Sequence, residues 1–115
     1  MIRKEQDQER EVRRHMRGAP GEITIRHYFK KEEINAKARL CAELIIPPGA
    51  GVGEHAHNEE GEVYIIQQGK GSVVDNGKEV EVVAGDAVLT GKGSSHSIKN
   101  IGGEDLLVTA VIMQY

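Results

Sequence analysis

Three of the chain's five histidines and one glutamate fall at spacings that can bring them to a single point. His55 and His57 are two residues apart. On a β-strand that spacing points both side chains to the same face, so the two imidazoles can converge on one ion. Gly61 permits a sharp bend just beyond them, and Glu62 can then face back toward the pair. His96 has to come from a neighbouring strand, which a closed barrel would supply. Three neutral imidazoles and one carboxylate form a nitrogen-and-oxygen donor set. It suits manganese, iron, cobalt, nickel, copper or zinc better than calcium or magnesium, which prefer oxygen throughout. Four donors on an ion that takes six leave two positions open for water, a chelating substrate, or substrate with dioxygen. A lone His-x-His, glutamate or histidine would carry little weight. The signal is their joint occurrence inside two glycine-framed segments, Gly49 to Gly69 and Gly85 to Asn100.

The elements that must position these side chains read as strands. Ala38, Leu40, Ala42, Leu44 and Ile46 occupy one face of a long strand, with Lys37, Arg39, Cys41 and Glu43 on the other. This period of two marks a half-buried strand. Pro47-Pro48-Gly49 ends it. Val63 to Gln68 is apolar on both faces. Asn76-Gly77 suits the positive φ angles of a two-residue hairpin turn. About nine strands with short connections, and no helix in the body of the chain, predict an all-β sandwich or barrel.

The two segments together resemble the paired motifs of the cupin family. The first family motif is a glycine, five residues, His-x-His, three or four residues, Glu, six residues and Gly; Gly49, His55, His57, Glu62 and Gly69 fit it throughout. Gly85, Gly93, His96 and Asn100 fit the second, with Gly91 standing where the family usually has proline. That departure touches the loop before His96 and not a ligand. The resemblance implies a jelly-roll cupin barrel with the metal held inside by His55, His57, Glu62 and His96. It does not fix an activity, because one fold carries many.

Parity around the site nominates further residues. Tyr64 and Gln68 share the face of Glu62. Tyr64 and Glu54 are the candidate proton donors, hence the candidate catalytic residues. Glu59 and Glu60 are read as exposed loop carboxylates, Arg39 and Lys37 as surface charge, Cys41 as a packed thiol, and His27 as structural or exposed.

The 115 residues fit one domain able to bury about two-thirds of its unfolded surface. Residues 1–20 are set apart as an arm, because ten of the first 17 are Lys, Arg, Asp or Glu. A frayed or partner-docked arm is expected there, and the cupin barrel domain spans 21–115. A single cysteine excludes an intrachain disulfide. The net charge of −3 lacks the concentrated basic face of a nucleic-acid binder. No apolar run reaches the roughly 20 residues of a membrane span, and no secretory h-region follows Met1, so a cytoplasmic location is expected. The second apolar face of Val63 to Gln68 needs cover, which predicts a homodimer.

The expected function is a metal-dependent enzyme acting on a small polar molecule such as a carboxylic acid or sugar derivative. The resemblance admits oxygenase, decarboxylase and isomerase types, with oxalate decarboxylase a specific candidate. Manganese, iron, nickel or zinc is the expected cofactor. The competing reading is a non-catalytic metal-dependent ligand-binding or sensor barrel, motivated by the lack of a clear acid or base beyond the ligands. A structural protein with a vestigial site is a third reading, and the intact ligand set argues against it.

Overall fold

The computed structural model describes residues 1–115. Ten strands form two antiparallel sheets. The larger has the order β1 (Glu9–Arg14), β2 (Glu22–Phe29), β3 (Ala38–Ile46), β10 (Leu106–Gln114), β5 (Glu60–Gln68), β8 (Ala87–Gly91). The smaller runs β4 (Gly51–Ala56), β9 (Ser95–Asn100), β6 (Lys70–Asp75), β7 (Lys78–Val83). This is the expected jelly-roll barrel. Non-local pairings such as β3 with β10 and β4 with β9 lay the two sheets face to face.

Alternation builds the core. Ala42, Leu44 and Ile46 of β3 face inward with Val108 and Ala110 of β10, and Tyr64 and Ile66 of β5 continue the layer. Ile98 and Val73 face them from the smaller sheet. Each fully buried Ile or Leu here contributes about 1.5–3 kcal/mol of transfer free energy. Asn76 and Gly77 adopt φ of 49° and 89°, as a tight β6–β7 turn requires. Asn100 is a structural tie: its amide donates to Ile46 O at 2.8 Å and Glu104 O at 2.7 Å, and its Oδ1 accepts from Gly102 N.

The N-terminal segment corrects an expectation. Residues 1–20 do not fray. Six of them form β1, which pairs with β2 from Glu9–His27 to Arg14–Glu22. An edge strand needs backbone partners more than apolar side chains, and β2 offers its free edge. Cross-strand charges then satisfy the polar side chains: Arg14 meets Glu22 at 2.9 Å, and Glu11 meets His27 at 3.2 Å. The charged surface of β1 also blunts the sheet edge against further pairing. After β1 the chain folds into a 3-10 turn at Met16–Gly18, which packs on β4. This strap closes one side of the barrel.

The parity of β3 also needs correction. Leu40 pairs with Ile112 but Ala38 pairs with Met113, so Arg39 is an extra residue in a β-bulge. The bulge brings Arg39, still exposed, to the rim of the cavity that Leu40 lines. Cys41 stays outside, half-buried, and burial pushes its thiol pKa up. No helix is long and apolar enough to cross a membrane.

Candidate metal centre

Adjacent strands bring the four expected ligands together. His55 lies next to the end of β4 and pairs directly with His96 of β9. His57 follows on the β4–β5 loop, and Glu62 lies in β5. Between Val52 and His55 the β4–β9 register shifts by one, so Val52 and His55 both face inward and Glu54 faces out. Glu54 is exposed and lines an outer groove with Ala19, Pro20 and Lys99. It does not reach the cluster, which removes one of the two candidate proton donors.

The donor atoms converge closely. His96 Nε2 lies 3.0 Å from His57 Nε2, 3.0 Å from His55 Nε2 and 3.0 Å from Glu62 Oε1. His57 Nε2 is 2.9 Å from the same Glu62 oxygen, and His55 Nε2 is 3.9 Å from it. The set lies within 4.8 Å overall and is half-buried to buried. The ring protons of His55 and His57 are accounted for elsewhere, whereas His96 Nδ1 is buried without a partner. His55 Nδ1 donates to Gly53 O at 2.7 Å, because a carbonyl can only accept. His57 Nδ1 donates to Glu60 Oε2 at 2.6 Å. Both neutral rings therefore turn an Nε2 lone pair toward the cluster. Converging lone pairs around one carboxylate repel unless a cation lies among them, so the donor set fits a divalent metal. Metal–nitrogen bonds of about 2.1 Å put adjacent octahedral positions about 3.0 Å apart, which is the spacing seen along four of these edges.

The charge state suits that role. Burial works to raise the pKa of Glu62, but the imidazoles of His55, His96 and His57 crowded against the carboxylate outweigh it and hold the carboxyl at about 2. Tyr64 is fully buried, and its ring stacks on His96 at 4.8 Å and 12°. Burial, reinforced by the Glu62 charge, raises its pKa well above the usual tyrosine value, so the phenol keeps its proton.

Glu60 is a residue that sequence reasoning misplaced. It is not a loop surface carboxylate. Arg39, re-aimed by the bulge, grips both its oxygens at 2.8 Å, and Glu60 in turn orients His57. The Arg39 hydrogen bond, reinforced by His57, holds the Glu60 carboxyl at about 2. Carboxylates behind metal-binding histidines fix the ring and raise its basicity. Gln68 also departs from expectation: its amide donates to Asp105 O at 3.1 Å, away from the cluster.

The cluster opens into a cavity of about 510 Å³. Leu40, Leu44, Val52 and Ile112 form its apolar wall, and Tyr64 lines it beside Glu62. The strap supplies Arg13, Arg14, Met16 and Arg17, and His27 lines the mouth together with Glu11.

The family model described as "Cupin domain" matches residues 42–112, the stretch that holds all four donors. The chain is a cupin. It is 48% identical over 98 residues to the "Oxalate-binding protein" of Thermotoga maritima, covering 85% of this cupin and 81% of that protein. The solved structure of a predicted oxalate decarboxylase from Thermotoga maritima superposes on all of both chains with a TM-score of 0.95 at 43% identity. The cupin domain of Schizosaccharomyces pombe Cnp3 matches in fold alone, with a TM-score of 0.73 at 19% identity over 91% of this cupin and 69% of that chain.

Proposed function

We propose that this cupin holds a manganese, iron or nickel ion on His55, His57, Glu62 and His96 and uses it to bind a small dicarboxylic acid, oxalate first among candidates. The observation that carries the reading is the cavity. His55 and Glu62 of the four-donor cluster line it, and arginines line its strap wall. Four protein donors complete the tetrahedral shell that zinc favours. An ion of higher coordination keeps positions open for a chelating ligand. The similarity to an oxalate-binding protein supports the same ligand class.

The ion, when bound, would act as a Lewis acid and a template. This chain's own residues would do the rest. Glu60 and Arg39 fix His57, the apolar wall excludes water, and Tyr64 presents a protonated phenol. That phenol favours decarboxylation over binding alone. In the net reaction the oxalate C–C bond breaks, one carbon leaves as carbon dioxide, and the other takes a proton to become formate. In this reading Tyr64 delivers that proton.

The test is calorimetric titration of oxalate into manganese-loaded and metal-free protein, followed by a formate assay. Metal-dependent binding with formate release that Tyr64→Phe abolishes, at unchanged oxalate affinity, is the expected result. Metal-dependent binding without formate in either protein would make this a ligand-binding module. No binding would sink the dicarboxylate reading.

A homodimer and a cytoplasmic location belong to the same proposal. The outer face of β5 and its neighbours leaves Ile65, Leu89 and Met113 at 38%, 70% and 42% exposure, which supports cover by a second copy. Light scattering at micromolar concentration is expected to give twice the 12.6 kDa chain mass. A monomeric mass would contradict it.

A further inference from the structure

Of the arginines that line the metal cavity, three are already committed to acids. Arg13 pairs with Glu11 at 2.8 Å, Arg14 with Glu22 at 2.9 Å and Arg39 with Glu60 at 2.8 Å. The fourth, Arg17, lines the same cavity and has no acidic partner. Its backbone is held in the left-handed region at φ 53° and ψ 31°, two residues after His15, which is also left-handed at φ 49°. Non-glycine residues adopt this conformation when the surrounding structure enforces it, and such residues concentrate at functional sites.

The enforcement is visible. His15 N donates to Gly21 O at 2.9 Å, Gly18 N to His15 O at 2.9 Å and Ala19 N to Met16 O at 3.1 Å. Met16 packs against the hydrophobic core. The Arg17 carbonyl lies over Gly53, where a β-carbon on residue 53 would come within 2.7 Å of the Arg17 carbonyl carbon. Gly53 is also the residue whose carbonyl orients His55. One contact thus ties the Arg17 backbone to a metal-binding histidine, with the guanidinium free to meet a ligand.

We propose that Arg17 is the specificity-determining residue of this site: it receives the carboxylate oxygens that a metal-held dicarboxylate leaves free. The assignment rests on the dicarboxylate reading above. A guanidinium matches a carboxylate with two parallel hydrogen bonds, and the pinned strap fixes the backbone from which it reaches, so only the side chain is ordered on binding. A ligand that chelates through a hydroxyl in place of the second carboxylate gives Arg17 less to hold.

The experiment compares oxalate with glycolate by calorimetric titration into manganese-loaded wild-type, Arg17→Gln and Arg17→Lys proteins, with metal content measured for each. Arg17→Gln is expected to weaken oxalate by about 10- to 100-fold, the range for hydrogen bonds to charged groups. Glycolate affinity is expected to change by less than about threefold, with metal content equal to wild type. Arg17→Lys is expected to recover part of the oxalate affinity, because it restores the charge without the fork. Unchanged oxalate affinity in Arg17→Gln, or an equal loss for both ligands, overturns the role of Arg17 and leaves the dicarboxylate reading intact. Wild-type protein that fails to bind oxalate overturns both.

Discussion

His96→Ala protein is expected to emerge from manganese loading and desalting without the ion that the wild type retains. His96 Nε2 is the hub of the cluster, 3.0 Å from each of His57 Nε2, His55 Nε2 and Glu62 Oε1. Its loss also opens a hole under the stacked Tyr64 ring. The effect should be read by unfolding temperature as well as by metal content. An ion that binds only the folded state adds about 4 kcal/mol at a free concentration of about 1,000 times its dissociation constant. For a domain of this size that corresponds to roughly 10–20 °C. Wild type should therefore show a metal-dependent rise of that order and His96→Ala should show almost none. An equal rise in both proteins would mean that the ion binds elsewhere.

Gly53→Ala is expected to lower the unfolding temperature by roughly 10 °C, measured without metal so that only packing is read. The added methyl would overlap the Arg17 carbonyl oxygen and stand 3.3 Å from Ala19 N. These are backbone atoms, which cannot swing aside as a side-chain tip can. Overpacking usually costs about 1–3 kcal/mol, and a backbone collision belongs at the upper end. The strap can relieve the collision only by lifting from β4, which would free the backbone beside the already exposed Arg13, Arg14 and Arg17 for trypsin to bind. Faster cleavage at these sites should therefore accompany the lower stability. Wild-type stability and wild-type cleavage rates in Gly53→Ala would show that the strap does not seat on Gly53.

The metal ligands were legible in the sequence because their positioning depends on short-range rules. His-x-His on a strand, a glycine-permitted bend and a second glycine-framed segment are all local patterns. They survive folding because β4, β5 and β9 deliver them to one point. The alternation of Leu40, Ala42, Leu44 and Ile46 was equally readable. What escaped depended on single-residue register changes. One bulge brought Arg39 to the cavity rim, and the shift before His55 turned Glu54 outward. A bulge reverses the parity of everything beyond it, and neither segment carries a local sign of it. Glu60 was misplaced for the same reason, since its role depends on where Arg39 points. The strap is hidden in the sequence because it lacks apolar alternation: β1 is held by backbone pairing and cross-strand charge.

Crystals grown with manganese should show where the ion sits. Anomalous diffraction from them is expected to give one strong peak inside the barrel, about 2.1 Å from the Nε2 atoms of His55, His57 and His96 and from a Glu62 carboxylate oxygen. No peak there at full loading, or a peak held by other residues, would mean that these three imidazoles and the carboxylate do not hold the ion.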